Sequence, residues 1–150
     1  LLFDVSPTVA PGLPGGWRFG PLTLDSYGVQ RTADGLQVTL QWSAQNTPEH
    51  DYTWFVHLLD AYQTIVAQQD RAPQGGYAPT STWELGTSLT DYLFFPLPDE
   101  TSTAGWALRI GFVNPATGTR LPAQDQHGAP LPDGFIIIAL DADSGPQTPA

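Results

Sequence analysis

Cysteine is absent from the 150 residues, and so is lysine: the five basic side chains are all arginine, Arg18, Arg31, Arg71, Arg109 and Arg120. Lack of cysteine excludes disulfides, thiolate metal sites and cysteine nucleophiles, and leaves the redox compartment open. Lack of lysine excludes a P-loop, a Schiff base and a Ser-Lys dyad. Positive charge is scarce in general, with 15 acids against those five bases and a formal net charge of −10. A nucleic acid needs a basic footprint for its phosphates, so nucleic acid is excluded as a partner. Anionic membrane surfaces are disfavoured for the same reason. No apolar run approaches the ~20 residues of a membrane-spanning helix, so direct membrane insertion of this segment is not expected. No signal-peptide pattern is present, and a chain that begins at Leu1 without Met reads as a piece of a larger protein.

What is present is apolar bulk. A hydrophobic content of 41%, with five Trp, five Tyr and seven Phe, is enough for one domain to close a core. The Pro- and Gly-rich ends read differently. Residues 1–19 are expected to form a linker or N-terminal arm, 20–141 the folded domain, and 142–150 a flexible tail.

Strand period dominates the interior. Leu36, Val38, Leu40, Trp42 and Ala44 alternate with Gln37, Thr39, Gln41 and Ser43, placing one face on a core and the other in water. Before them, Leu22 and Leu24 share one parity and Tyr27 and Val29 the other, a slip that predicts a bulge or sheet switch near Ser26. Thr32-Ala33-Asp34-Gly35 supplies turn chemistry. Residues 52–59 are apolar on both parities, as in a strand covered on both sides. Asp60-Ala61-Tyr62-Gln63 suits a hairpin loop into 64–70. Further strands are expected at 87–97, 106–113 and 135–140. No segment holds helical period. The pattern predicts an all-β, antiparallel β-sandwich of about seven strands, immunoglobulin-like or fibronectin-like, with a jelly roll as the alternative.

Several runs resemble one group of domains. They are Phe55-Val56-His57-Leu58-Leu59-Asp60, the stretch from Val66 to Pro73, Gly75-Gly76-Tyr77-Ala78-Pro79-Thr80-Ser81-Thr82-Trp83, and Gly105-Trp106-Ala107-Leu108-Arg109-Ile110-Gly111-Phe112 followed by Thr117-Gly118-Thr119-Arg120-Leu121-Pro122. Together, across roughly residues 20–140, they resemble β-sandwich domains that follow the membrane region of large bacterial proteins, notably in Chloroflexi. Many parents of such domains look like lipid-carrier-dependent glycosyltransferases. The resemblance implies an extracytoplasmic accessory domain, at the cell surface or in the periplasm, and implies no reaction. One departure is Phe112-Val113-Asn114, where such domains usually carry Tyr-Asp, so a role for that acid does not carry over.

The loop Arg71–Gly86 is long for a compact sandwich. Its functional reading is a carbohydrate platform, with Tyr77 and Trp83 as stacking rings and Asp70, Arg71, Gln74 and Asp91 as hydroxyl partners. The plainer reading is that Trp83 plugs one end of the sandwich and the loop folds over it. Exposure of the two rings separates them. His57 lies among apolar neighbours and reads better as a sheet-face histidine bonded to a neighbour than as a metal ligand or a base. His50 and His127 have no pairing spacing, and no zinc signature exists. Asp141-Ala142-Asp143-Ser144-Gly145 fails the calcium-loop pattern in its glycine position and length. There is no nucleophile elbow, phosphate-cradling loop or marked carboxylate pair, so no catalytic residue, metal or cofactor is expected. The expected function is a non-catalytic accessory or interaction domain, with a carbohydrate-binding module as the alternative. Its partners would be the membrane-embedded part of its parent or a glycan.

Overall fold

The computed structural model describes residues 13–140. The stretch Asp141–Gly145, the 142–150 tail and the first twelve residues of the arm lie outside the described residues. Eleven strands are present among the described residues: β1 (Leu13–Phe19), β2 (Leu22–Arg31), β3 (Gly35–Ala44), β4 (Thr53–Leu59), β5 (Ile65–Arg71), β6 (Ser88–Pro96), β7 (Ala107–Asn114), β8 (Thr119–Arg120), β9 (Ala123–Gln124), β10 (Pro130–Leu131) and β11 (Ile136–Ala139). The first sheet runs β10-β9-β1-β2-β3-β6 and the second β11-β7-β4-β5, with β8 attached to β7. Every pairing is antiparallel. The two sheets face each other across one core, so the molecule is a β-sandwich.

The alternation in β3 buries Leu36, Val38, Leu40, Trp42 and Ala44, and that in β7 buries Leu108, Ile110 and Phe112. Phe19, Trp42 and Phe112 meet edge-to-face, with ring centroids 6.2, 5.8 and 4.7 Å apart in the three pairs. The parity slip in β2 is a register shift between Leu24 and Ser26 against β3. That shift lets both halves of a ten-residue strand keep their apolar side chains packed. Arg31 then ties the Thr32–Gly35 turn to the segment after β6, donating to the carbonyls of Thr32, Gly35 and Pro98 at 2.6, 2.8 and 2.9 Å.

The N-terminal boundary needs correction. Residues 13–19, expected in the arm, form β1, which pairs with β2 and β9 and delivers Phe19 to the core. The Pro and Gly that suggested a linker are accommodated by a register shift between Pro14 and Trp17. Gly16 there has φ of 98°, and a Cβ on Gly15 would collide with the Leu24 carbonyl oxygen.

Candidate functional site

The loop after β5 is held by its own side chains. Pro73 is buried, Gln74 turns the chain with φ of 56°, and two short 3-10 turns follow at Pro73–Gly76 and Thr80–Thr82. The buried Thr80 hydroxyl donates to the His50 carbonyl at 2.6 Å and accepts from the Tyr52 N–H at 2.9 Å. Asp51 accepts from the Ser81 N–H at 3.0 Å. The side-chain and backbone hydrogen bonds from Ser81 hold the Asp51 carboxyl below its ordinary pKa. Trp83 is 1% exposed and donates its indole N–H to the Ala78 carbonyl at 2.8 Å.

These contacts dismantle the expected platform. Trp83 is part of the core, while Tyr77 is 94% exposed, so the two rings do not share a surface. Asp91 is buried; its carboxylate accepts from the Gln74 N–H at 2.7 Å and the Trp54 indole at 3.1 Å. The Gln74 side chain donates to the Thr90 carbonyl. Asp70 and Arg71 are neighbours on a strand and therefore point to opposite faces. Asp70 is opposite Phe55, on the outer face, and Arg71 opposite Trp54, on the core side. Of the six proposed residues, Gln74 and Asp91 are joined through the Asp91 carboxylate and secure the loop, and Tyr77 meets Gln74 through a backbone turn alone.

A different cluster occupies the outer face of the second sheet. In β4, Trp54, Val56 and Leu58 enter the core, which turns Phe55, His57 and Leu59 outward. His57 is opposite Arg109 in β7, and Arg109 is in turn opposite Ile137 in β11. Arg109 donates to His57 Nδ1 through Nε at 3.2 Å and Nη2 at 3.0 Å, an arrangement that requires the neutral Nε2–H tautomer. Burial, first, and the charge of Arg109, second, hold the imidazole pKa below its ordinary value; Asp70 opposes them and Arg120 adds to them. The Arg109 guanidinium carbon lies 5.2 Å from the Phe135 ring centre. That of Arg120 lies 5.0 Å from Phe55 and 5.8 Å from Phe135. Arg120 also donates to the Asp133 carbonyl at 3.0 Å. Phe55, although on the outer face, is thereby only 4% exposed.

Beside this layer is a cleft of about 280 Å³, lined by Arg109, Phe135, Ile137, Ala107, Gly105, Leu59 and the Asp60–Gln63 turn. Asp60 Oδ1 accepts from the N–H groups of Tyr62 at 2.8 Å and Thr64 at 3.0 Å. Gln63 sits in the left-handed region with φ of 66°. Sequence reading anticipated His57 as a bonded sheet-face histidine. It assigned no role to Arg109, Arg120 or Phe135, which come from strands and turns far apart in the chain.

Among comparisons with known proteins, no family matches the chain and no curated protein matches it. Among the solved structures that align with it is the crystal structure of an endonuclease/exonuclease/phosphatase from Beutenbergia cavernae DSM 12333. It is 14% identical, the alignment covers 61% of this chain and 22% of that one, and its TM-score of 0.31 carries no argument about fold or activity.

Proposed function

We propose that the chain is a non-catalytic, extracytoplasmic accessory domain that docks to another part of its parent protein through the outer face of the second sheet. The observation that carries this is the layer of Arg109 and Arg120 over Phe55 and Phe135 on that face. Arginine and aromatic side chains are the types enriched at the centres of protein interfaces. The use of Asp51, Asp60 and Asp91 as hydrogen-bond acceptors that shape turns supports a structural rather than a chemical role for them. Strand order, with β2-β3-β6 opposite β11-β7-β4-β5, supports an immunoglobulin-like or fibronectin-like sandwich.

A photo-crosslinking residue at Ile137, 50% exposed on this face, tests the reading in cells that make the whole parent. Adducts with the parent's membrane region are expected from Ile137 and not from Tyr92 on the other sheet. Adducts from neither position, or equally from both, would remove the proposal.

The alternative, a carbohydrate-binding module using the 71–86 loop, keeps one observation in its favour, the exposed Tyr77 ring. A glycan array with wild type and Tyr77→Ala tests it. Absence of a ligand lost on substitution ends that reading.

A further inference from the structure

We propose that the cleft beside Arg109 binds a small organic carboxylate that carries a hydrogen-bond donor, a hydroxyl or an ammonium, next to its acid group. The inference deepens the reading of this face as a recognition surface and rests on it for location only, since a free ligand needs no parent protein.

Arg109 is an unusual guanidinium. It sits in a chain with three acids for every base, yet among the described residues its hydrogen-bond partner is the imidazole of His57 and not a carboxylate. Nε and Nη2 point at one nitrogen, and Nη1 has no hydrogen bond among those described. A guanidinium held in this way is positioned for a carboxylate and has not been neutralised by one. Phe135 packs against it and fixes its plane. The cleft is of a size for one sugar ring or one amino acid, and Ala107, Ile137 and Leu59 give it an apolar lining. Asp60 adds the second polar requirement. One of its oxygens is engaged by the Tyr62 and Thr64 N–H groups, and Asp60 is among the residues that line the cleft. A bare anion would be repelled there, whereas a ligand that presents a donor to Asp60 and an acid group to Arg109 satisfies both ends. The left-handed Gln63, at a strained conformation for a residue with a side chain, lines the same cleft.

His57 makes the site proton-linked. The groups facing it are Arg109 from β7, Asp70 from β5 and Arg120 from β8. Arg109 donates to Nδ1, so protonating that nitrogen would remove the acceptor that holds the guanidinium.

The test is an NMR titration of the chain with D-glucuronate, L-glutamate and, as the neutral control, D-glucose. Saturable shifts at Ala107, Arg109 and Ile137 are expected with one or both acids and none with glucose; which acid acts identifies the donor as hydroxyl or ammonium. Binding should weaken about tenfold or more in Arg109→Gln and be lost in Ala107→Leu, which fills the cleft without altering charge. Equal shifts with glucose, or binding retained in Arg109→Gln, would each overturn the proposal. Those failures leave the crosslinking test of the docking face untouched.

Discussion

The Trp54 indole donates a hydrogen bond of 3.1 Å to the carboxylate of Asp91, and both side chains are buried. The pair joins the two sheets, since Trp54 belongs to β4 and Asp91 to β6. The same carboxylate receives the Gln74 N–H, so one acid fixes the sandwich interior and the start of the long loop. Asp91→Ala would strand two donors, one of them fully buried. Chemical denaturation should show a loss of about 2–3 kcal/mol. Asp91→Asn, which keeps an acceptor, should cost less. Equal stability of Asp91→Ala and wild type would refute the role.

Trp83 and Tyr77 lie six residues apart and should behave as opposites. Trp83→Ala empties a core site and should cost about 3–5 kcal/mol. Tyr77→Ala, at a ring almost wholly in solvent, should stay within about 0.5 kcal/mol of wild type. Thermal melts of the two variants decide the matter.

Gly111 is opposite Phe55 on the outer face, and a Cβ there would overlap the Phe55 ring and come within 2.6 Å of the Gly134 carbonyl oxygen. Gly111→Ala must therefore push the ring out from under Arg120 or move backbone. The expected cost is about 1–3 kcal/mol, with altered side-chain resonances of Phe55 and Arg120. A neutral outcome would mean that the layer is loose.

His57 gives stability a pH dependence with a defined sign. Its pKa is lowered by folding, so between that value and the unfolded value near 6.5 the unfolded chain binds more protons. Stability at this residue is complete above about pH 6.5, falls as the pH drops toward the lowered folded value, and levels below it. His57→Gln should flatten this part of the profile, read from denaturation midpoints across acid pH. An unchanged slope would assign the dependence elsewhere.

Absence of cysteine permits a clean test of location. Thr117→Cys places one thiol on the exposed β7–β8 turn. A membrane-impermeant maleimide should label it in intact cells, or after outer-membrane permeabilisation if the domain is periplasmic. Labelling only after complete lysis would place the domain in the cytoplasm.

Much of the sandwich was legible because strand burial repeats every two residues. Leu36 to Ala44 and Leu108 to Phe112 are buried as their rhythm demands, and the slip at Ser26 marks a real register shift. Residues 52–59 read as covered on both sides, and Arg120 over Phe55 supplies the second cover. The first strand was hidden because Pro14, Gly15 and Gly16 carry the composition of a linker while lying at an irregular pairing. The outer-face cluster was illegible for another reason. His57, Arg109, Arg120 and Phe135 converge only through sheet order, and no local spacing encodes that. Trp83 in the long loop takes the plainer of its two readings, a core plug, and Asp91 in β6 engages its carboxylate with the Gln74 N–H and the Trp54 indole.

Among the described residues, strand β5 is the outermost member of the second sheet, and its backbone pairs only with β4. Its seven residues contain neither proline nor glycine, and Ile65 and Val66 are exposed. Such a rim can accept another extended chain. The surplus of acids therefore acts as a colloidal guard, keeping copies from zipping together along this rim. Concentrated salt, or acidification toward the sequence pI near 4.2, would lower that guard, and self-assembly should begin at β5.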